Sequence, residues 1–198
     1  MVPAAPPLVL ASASPRRREL LASRGLRFEV MPPDVEELTR AGEPPQALVE
    51  RLALEKALAV RARLPALPRR FVLGSDTVVV LDGEILGKPK DAAHALELLS
   101  RLAGRTHTVW TGVAVAATGD GAARVASVAS AVTLRAAAEP ELRAYVASGE
   151  PLDKAGAYAL QGEGRRFVSR VEGSESNVIG LPLDEALALL AEAGFERG

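Results

Sequence analysis

The sequence predicts a mixed α/β fold in which helices flank an elongated central sheet and two lobes of one domain, residues 1–198, surround a groove. Three observations support this prediction. Short apolar runs alternate with helical patterns in the first half of the chain. Two valine- and threonine-rich segments in the middle form a strand meander, and an amphipathic helix ends the chain.

The first half of the chain contains clear start and stop residues. Ser14 and Pro15 are favourable at a helix start, Gly25 favours a helix end, and Asp82-Gly83 favours a hairpin. Pro65 and Pro68 end the long helix. The predicted strands are 8–11, 28–31, 71–81 and 84–86, and the predicted helices are 15–24, 45–64 and 91–102.

The second half begins with a long predicted hairpin. Strands 106–117 and 124–134 are joined by the turn Gly119-Asp120-Gly121. A helix over 139–148 precedes Gly149. The remaining elements are a loop or short helix over 156–162, a strand over 167–171 and a helix over 182–193.

Composition excludes several classes of protein. The chain has 198 residues, is 48% apolar and carries a net charge of −1, which favours a globular core over disorder and argues against general nucleic-acid binding. It contains no cysteine and no apolar run of about 20 residues, the length that spans a membrane. The first seven residues lack the features of a signal peptide. We therefore expect a cytoplasmic protein with no membrane or nucleic-acid partner.

The segment that opens the first helix predicts an anion site. Ser12 and Ser14 precede a proline and the residues Arg16, Arg17 and Arg18. Three arginines place positive charge at the positive end of the helix dipole, which destabilises the helix, so stability alone does not explain them. Serine hydroxyls, free backbone N–H groups and guanidinium groups together suit a phosphate. A solvated basic patch is the alternative.

Asp76 interrupts an otherwise buried, valine-rich strand. A carboxylate in that setting must be paired, bind a metal or have a shifted pKa. With Glu36 and Glu37 in an acidic loop, the residues suit Mg²⁺ or Mn²⁺. The alternatives are an aspartate that caps a turn at the sheet edge and a solvated acidic loop.

Lysine is rare in this chain, which has Lys56, Lys88, Lys90 and Lys154 and otherwise uses arginine. Lys88 lies in a predicted Gly-Lys-Pro turn, where a compact ammonium group could neutralise phosphate charge; an exposed surface lysine is the alternative. No phosphate-binding P-loop, dinucleotide-binding glycine motif or nucleophile elbow is present. His94 and His107 do not have the spacing of a metal pair.

Seven segments together resemble the Maf family of nucleotide pyrophosphatases, in order and with family-like spacing. They are 11–17, 51–57, 75–79, 87–89, 145–158, 161–162 and 178–182. The resemblance implies a fold like that of the inosine triphosphate pyrophosphatases. It also implies hydrolysis of a nucleoside triphosphate to the monophosphate and pyrophosphate, with Mg²⁺, Mn²⁺ or Co²⁺ as cofactor. A homodimer is a candidate assembly.

The resemblance also implies roles for individual residues. Asp76 matches the catalytic proton acceptor, and Arg16, Thr77 and Gln161 match positions tied to base selection. Further active-site positions match Glu37, Lys56 and Lys88, and Glu37 with Asp76 is the expected pair of metal ligands. Ser12, Ser14, Arg17 and Lys56 complete the expected substrate-binding set.

Two pairs of residues indicate the branch of the family. Asp76-Thr77 and Gln161-Gly162 resemble the branch that acts on dTTP and UTP, including modified pyrimidine nucleotides. A side-chain amide can donate to and accept from a uracil edge, which agrees with this branch. The alternatives are the 7-methyl-GTP branch and a non-catalytic regulator of septum formation.

Overall fold

A computed structural model describes residues 7–119 and 122–196. Its seven strands are β1 (Leu8–Ala11), β2 (Phe28–Val30), β3 (Phe71–Leu81), β4 (Glu84–Leu86), β5 (Thr106–Ala117), β6 (Ala123–Leu134) and β7 (Val168–Glu172). Its six α-helices are α1 (Pro15–Ala22), α2 (Pro45–Arg61), α3 (Ala92–Leu102), α4 (Glu139–Ala147), α5 (Glu175–Ile179) and α6 (Leu183–Glu192). Short 3₁₀ turns span Glu150–Asp153, Ala155–Ala157 and Glu163–Phe167.

All seven strands form one mixed sheet. Its order is β2-β1-β3-β5-β6-β7, and β4 pairs with β3. Strand β1 is parallel to both of its neighbours, with Leu8 opposite Phe28 on β2 and Phe71 on β3. Strands β4 and β7 are antiparallel to β3 and β6. Parallel and antiparallel pairs in one sheet with helices confirm the mixed α/β class.

The chain divides into two compact units, and each has its own apolar core. Unit 1 comprises residues up to Asp76, Thr111–Val128 and the chain from Gly180 onward. Leu10, Leu73 and Val115 belong to one cluster of its core, and Ala53 and Val72 belong to a second. The placement of these residues follows from apolar positions that alternate along strands and recur along helices.

Unit 2 comprises Thr77–Trp110 and Ala129–Ile179. Its core contains Leu99 from α3, Tyr145 from α4, and Phe167. The hairpin that joins β3 to β4 lies in this unit. Asp82 and Gly83 both have positive φ, 51° and 83°, as a type I′ turn requires. The predicted hairpin is therefore confirmed.

Several predicted boundaries were wrong by a few residues. Helix α1 ends at Ala22 rather than 24, and α2 ends at Arg61 rather than 64, because each last turn tightens before the chain leaves the helix. Gly87-Lys88-Pro89 forms an irregular connection and not the tight turn that was predicted. Helix α5 was not predicted, because five residues are too few to show a helical period.

The predicted turn Gly119-Asp120-Gly121 extends outside the described residues. Within the described part of the chain, no helix is long and apolar enough to cross a membrane. The prediction that two lobes of one domain surround a groove stays a prediction.

Candidate active site

Two glycines allow α2 to lie unusually close to the sheet in unit 1. A Cβ atom at position 74 on β3 would collide with the backbone oxygen of Ala53 and lie 2.8 Å from the amide nitrogen of Ala57. A Cβ atom at position 112 on β5 would collide with the backbone of Val49. Both strands therefore need glycine where they meet the helix. This contact sets the distance between Lys56 on α2 and strand β3.

Lys56 joins one buried and one exposed carboxylate in unit 1. Its Nζ atom lies 2.6 Å from Oδ1 of Asp76 and 2.5 Å from Oε1 of Glu37. The side chains of Lys56 and Asp76 are only 6% and 8% exposed, whereas that of Glu37 is 46% exposed. A buried carboxylate on a strand must be paired, and Lys56 supplies the partner. The predicted residues Glu37, Lys56 and Asp76 therefore lie together.

Arg51, one turn before Lys56 on α2, holds the acidic loop that carries Glu37. Its guanidinium donates to the carbonyl oxygen of Leu38 at 2.9 Å and to both carboxylate oxygens of Glu43 at 2.6 Å. It also donates to Glu55 at 3.2 Å. The hydrogen bonds from Arg51 lower the pKa of Glu43 to about 2. Sequence reasoning gave Arg51 no role, although its spacing from Glu55 is that of a helical ion pair.

The start of α1 is braced by its own serines. Ser14 caps the helix, because its Oγ accepts from the backbone N–H of Arg17 at 3.4 Å. The backbone N–H of Ser14 in turn donates to Oγ of buried Ser12 at 3.1 Å. The sequence interpretation treated these N–H groups as free for an anion. In the structure the N–H groups of Ser14 and Arg17 donate to serine side chains, and the anion site stays a prediction.

Arg17 connects this turn to the rest of unit 1. Its Nε donates to the carbonyl oxygen of Gly180 at 2.7 Å, and its Nη1 donates to Oγ of Ser12 at 3.4 Å. Fully buried Ser75 also lies 3.0 Å from the same carbonyl oxygen. Neither Ser75 nor Gly180 was assigned a role, since a partner so distant in sequence leaves no local pattern.

The charge of Arg17 belongs to the same cluster as Lys56. Burial lowers the pKa of Arg17, while the negative charges of Asp76 and Glu37 oppose that effect. The nearby positive charge of half-buried Arg16 lowers it further. A guanidinium stays protonated under these conditions. Unit 1 therefore places the cations Arg16, Arg17 and Lys56 near two carboxylates, which suits an anionic ligand that carries its own countercation.

The other three predicted residues belong to unit 2. Thr77 follows Asp76 on β3, and strand alternation places it on the same face as Ser75, opposite to Asp76. Lys88 is exposed in the connection after β4, and Gln161 is exposed in the loop before the last 3₁₀ turn. The chemistry available to Lys88 and Gln161 is that of a solvent-accessible cation and amide.

The carboxylates of Glu37 and Asp76 fit a divalent cation. Both converge on one ammonium group, and hard oxygen ligands are those that Mg²⁺ prefers. Within residues 7–119 and 122–196, no group of three or more histidine, cysteine, aspartate or glutamate side chains could hold a metal. Such a pair agrees with Mg²⁺, which is usually bound through one or two carboxylates together with substrate phosphates.

Two known proteins that are similar to this chain over nearly its full length are both dTTP/UTP pyrophosphatases. A dTTP/UTP pyrophosphatase of Myxococcus xanthus is 54% identical over 188 residues, which cover 95% of this chain and 93% of that protein. A dTTP/UTP pyrophosphatase of Moorella thermoacetica is 51% identical over 189 residues, which cover 96% of each.

A solved nucleoside-triphosphatase / dITP/XTP pyrophosphatase from Mycobacterium abscessus is 16% identical, with a TM-score of 0.44 over 94% of this chain and 95% of that one. That likeness is too weak to support a conclusion. The model of the family described as Maf-like protein matches residues 7–193. The chain therefore belongs to the Maf family, as its sequence motifs predict.

Proposed function

We propose that this protein is a pyrophosphatase that hydrolyses dTTP and UTP to the nucleoside monophosphate and pyrophosphate. The observation that carries the proposal is the buried pair of Asp76 and Lys56, with Glu37 as second carboxylate, in a chain about half identical to named dTTP/UTP pyrophosphatases. A buried carboxylate is unfavourable for folding unless it is paired. Such groups cluster at functional sites, which supports Asp76 as the base.

The proposed reaction begins with a water molecule held by Asp76. Lys56 engages Oδ1, so we assign Oδ2 as the oxygen that accepts a proton from the water. The water oxygen bonds to the α-phosphorus, and the bond from that phosphorus to the oxygen bridging to the β-phosphorus breaks. Pyrophosphate leaves with the negative charge that develops on its oxygen.

Cationic side chains stabilise that charge. We assign Lys56, Arg16, Arg17 and Lys88 to phosphate oxygens, because ammonium and guanidinium groups donate charge-assisted hydrogen bonds to phosphate. Ser12 and Ser14 keep the start of α1 in the geometry that presents the arginines. Glu37 and Asp76 would hold a divalent cation such as Mg²⁺, Mn²⁺ or Co²⁺. When bound, that ion supplies charge neutralisation of the phosphates.

Base selection is assigned to Gln161 and Thr77. A glutamine amide has both a donor and an acceptor, and it can match the neighbouring N–H and C=O groups of a uracil or thymine edge. Adenine presents its donor and acceptor in the reverse order and leaves a fixed amide unpaired. Guanine presents the same neighbouring N–H and C=O groups as uracil, so we assign its exclusion to the larger size of its two rings. Each lost pairing costs about 1–3 kcal/mol, which is enough to separate the bases.

The test is a competition among dTTP, UTP, GTP, ATP and 7-methyl-GTP with one metal ion, measured by pyrophosphate release. We expect kcat/KM to be highest for dTTP and UTP, by about tenfold or more over the three purines. The Gln161→Ala variant should lose most of the preference over ATP. Highest activity on 7-methyl-GTP would assign the other branch. Absence of pyrophosphate with every substrate and with Mg²⁺, Mn²⁺ and Co²⁺ would refute the enzyme assignment.

A further inference from the structure

The loop that carries Gln161 is fastened to a single carboxylate in unit 2. Oε1 of Glu150 accepts from the Tyr145 hydroxyl at 2.7 Å and from the backbone N–H of Gly164 at 3.0 Å. Oε2 accepts from the backbone N–H of Glu163 at 2.9 Å. Neither Glu150 nor Tyr145 is explained by the reaction, since neither was assigned to substrate, metal or water.

Tyr145 fastens the other end of the same loop. Its hydroxyl accepts from the backbone N–H of Ala159 at 3.3 Å while it donates to Glu150. The ring is fully buried and lies 5.2 Å from the ring of Phe167, so the hydroxyl has little freedom to move. Tyr145 and Glu150 therefore hold residues on both sides of Gln161.

Gly162 explains why the loop can approach the carboxylate. Its φ of 86° is unfavourable for any residue with a side chain. A Cβ atom there would lie 2.5 Å from Oε2 of Glu150. On the other side of Gln161, Leu160 is only 7% exposed and belongs to the core of unit 2. Gln161 is thus an exposed side chain between two fixed neighbours.

The charge of Glu150 is maintained by the same contacts. Burial raises the pKa of Glu150, but the hydrogen bonds from Tyr145, Glu163 and Gly164 and the charge of Lys154 outweigh it, so the pKa lies below its usual value. Lys154 also donates to the carbonyl oxygen of Glu150 at 2.5 Å, which braces the backbone there. An ionised carboxylate accepts hydrogen bonds at both oxygens, as three converging donors require.

We propose that Glu150, supported by Tyr145, is a positioning residue for base selectivity: it fixes the loop that presents the Gln161 amide to the base. This inference rests on the proposed function, because Gln161 has no base to select if the protein is not a nucleotide pyrophosphatase. Glu150 itself does not touch the substrate and acts through Gln161.

The principal variant is Glu150→Gln, which keeps the side-chain size but replaces one acceptor oxygen by an NH₂ group that faces an N–H donor. We expect the ratio of kcat/KM for dTTP to that for ATP to fall by about tenfold or more, mainly through a higher KM for dTTP. Tyr145→Phe removes both hydrogen bonds of the hydroxyl but leaves Glu150 its bonds from Glu163 and Gly164, so it should lower the ratio less. The control is Glu163→Gln, whose side chain makes none of these contacts and which should leave the ratio unchanged.

A double-mutant cycle separates positioning from general structural damage. In a Gln161→Ala background, Glu150→Gln should produce no further change in the ratio, because the residue through which it acts is gone. An equal loss of activity on both nucleotides, or the same additional fall in the ratio in that background, would overturn the inference. If urea titration shows that Glu150→Gln does not fold, the same double-mutant cycle with Tyr145→Phe tests the inference.

Amide hydrogen exchange gives a readout that needs no activity. The N–H groups of Ala159, Glu163 and Gly164 should exchange faster in Glu150→Gln than in Glu163→Gln, and unchanged exchange would overturn the inference. Wild-type protein that shows no preference for a pyrimidine would refute the proposed function instead. The two failures are therefore distinguishable.

Discussion

Asp76 and His107 are two buried ionisable side chains with different partners. Asp76 has an ionic partner, because the ammonium group of Lys56 lies 2.6 Å from its Oδ1. His107 on β5 is 3% exposed, and its Nε2 lies 2.8 Å from the Tyr158 hydroxyl. Burial therefore lowers its pKa to about 4, and it is neutral at pH 7.

The buried histidine predicts a loss of stability in acid. In the unfolded chain the pKa of His107 returns to about 6.5, so the unfolded state binds a proton between pH 6.5 and about 4 that the folded state does not. The stability present above pH 6.5 is progressively lost as the pH falls to about 4. At about 1.4 kcal/mol per pH unit, the loss reaches about 3 kcal/mol.

Urea titrations of the wild type and of His107→Gln between pH 7.5 and pH 4 measure this effect. The wild type should lose about 3 kcal/mol more of its free energy of unfolding over this range than the variant does. His94→Gln makes the same change at a histidine outside the core, and at pH 7.5 it should leave the free energy of unfolding within about 0.5 kcal/mol of the wild type. Equal pH dependence in the wild type and His107→Gln would show that the pKa of His107 is the same in the folded and unfolded states.

At the scale of elements, α2 and β3 form the framework of the candidate site. Helix α2 carries Lys56, and β3 carries Asp76. Both elements were predictable from local patterns, namely helical periodicity between prolines and a valine-rich run. Their close approach was not predictable, because Gly74 looks like any other glycine in a strand until the helix packed on it is known.

The close contact makes Gly74→Ala a sensitive test of this framework. The added methyl group would meet the backbone of Ala53 and Ala57, which cannot move without displacing the helix. We expect the free energy of unfolding to fall by about 1–3 kcal/mol in urea titration, and kcat to fall as Lys56 shifts relative to Asp76.

Gly87→Ala provides the control for the same chemical change. A Cβ atom at position 87 has no neighbour within 4 Å, so its free energy of unfolding should stay within about 0.5 kcal/mol of the wild type. A Gly74→Ala protein as stable and active as Gly87→Ala would mean that α2 does not depend on this contact.

At the scale of the whole molecule, the boundaries between the two units fall within strands. Strands β3, β5 and β6 each contribute residues to both units. The division falls between Asp76 and Thr77, so one dipeptide supplies a residue to each.

Local motifs predicted the seven strands, every α-helix of the described residues except α5, and the family. The roles of Glu37, Lys56 and Asp76 stay predictions, although these three side chains lie together. Contacts between distant residues, such as Arg17 with Gly180 and Glu150 with Gly164, could not be predicted. They depend on how the chain returns to the sheet and leave no pattern in the sequence.

The central claim is that Asp76 is the base of a nucleotide pyrophosphatase, and Asp76→Asn tests it most directly. The substitution keeps the shape and an acceptor oxygen for Lys56, which also retains Glu37 as its ionic partner, so the protein should fold. The control is Asp184→Asn, the same change at a side chain that is 88% exposed.

The measurement is pyrophosphate release from dTTP at saturating substrate and Mg²⁺. We predict that Asp76→Asn lowers kcat by about 10²–10⁴-fold, as expected for the loss of a general base, while Asp184→Asn keeps the wild-type rate. A folded Asp76→Asn protein that releases pyrophosphate at the wild-type rate would contradict the assignment of Asp76 as the base.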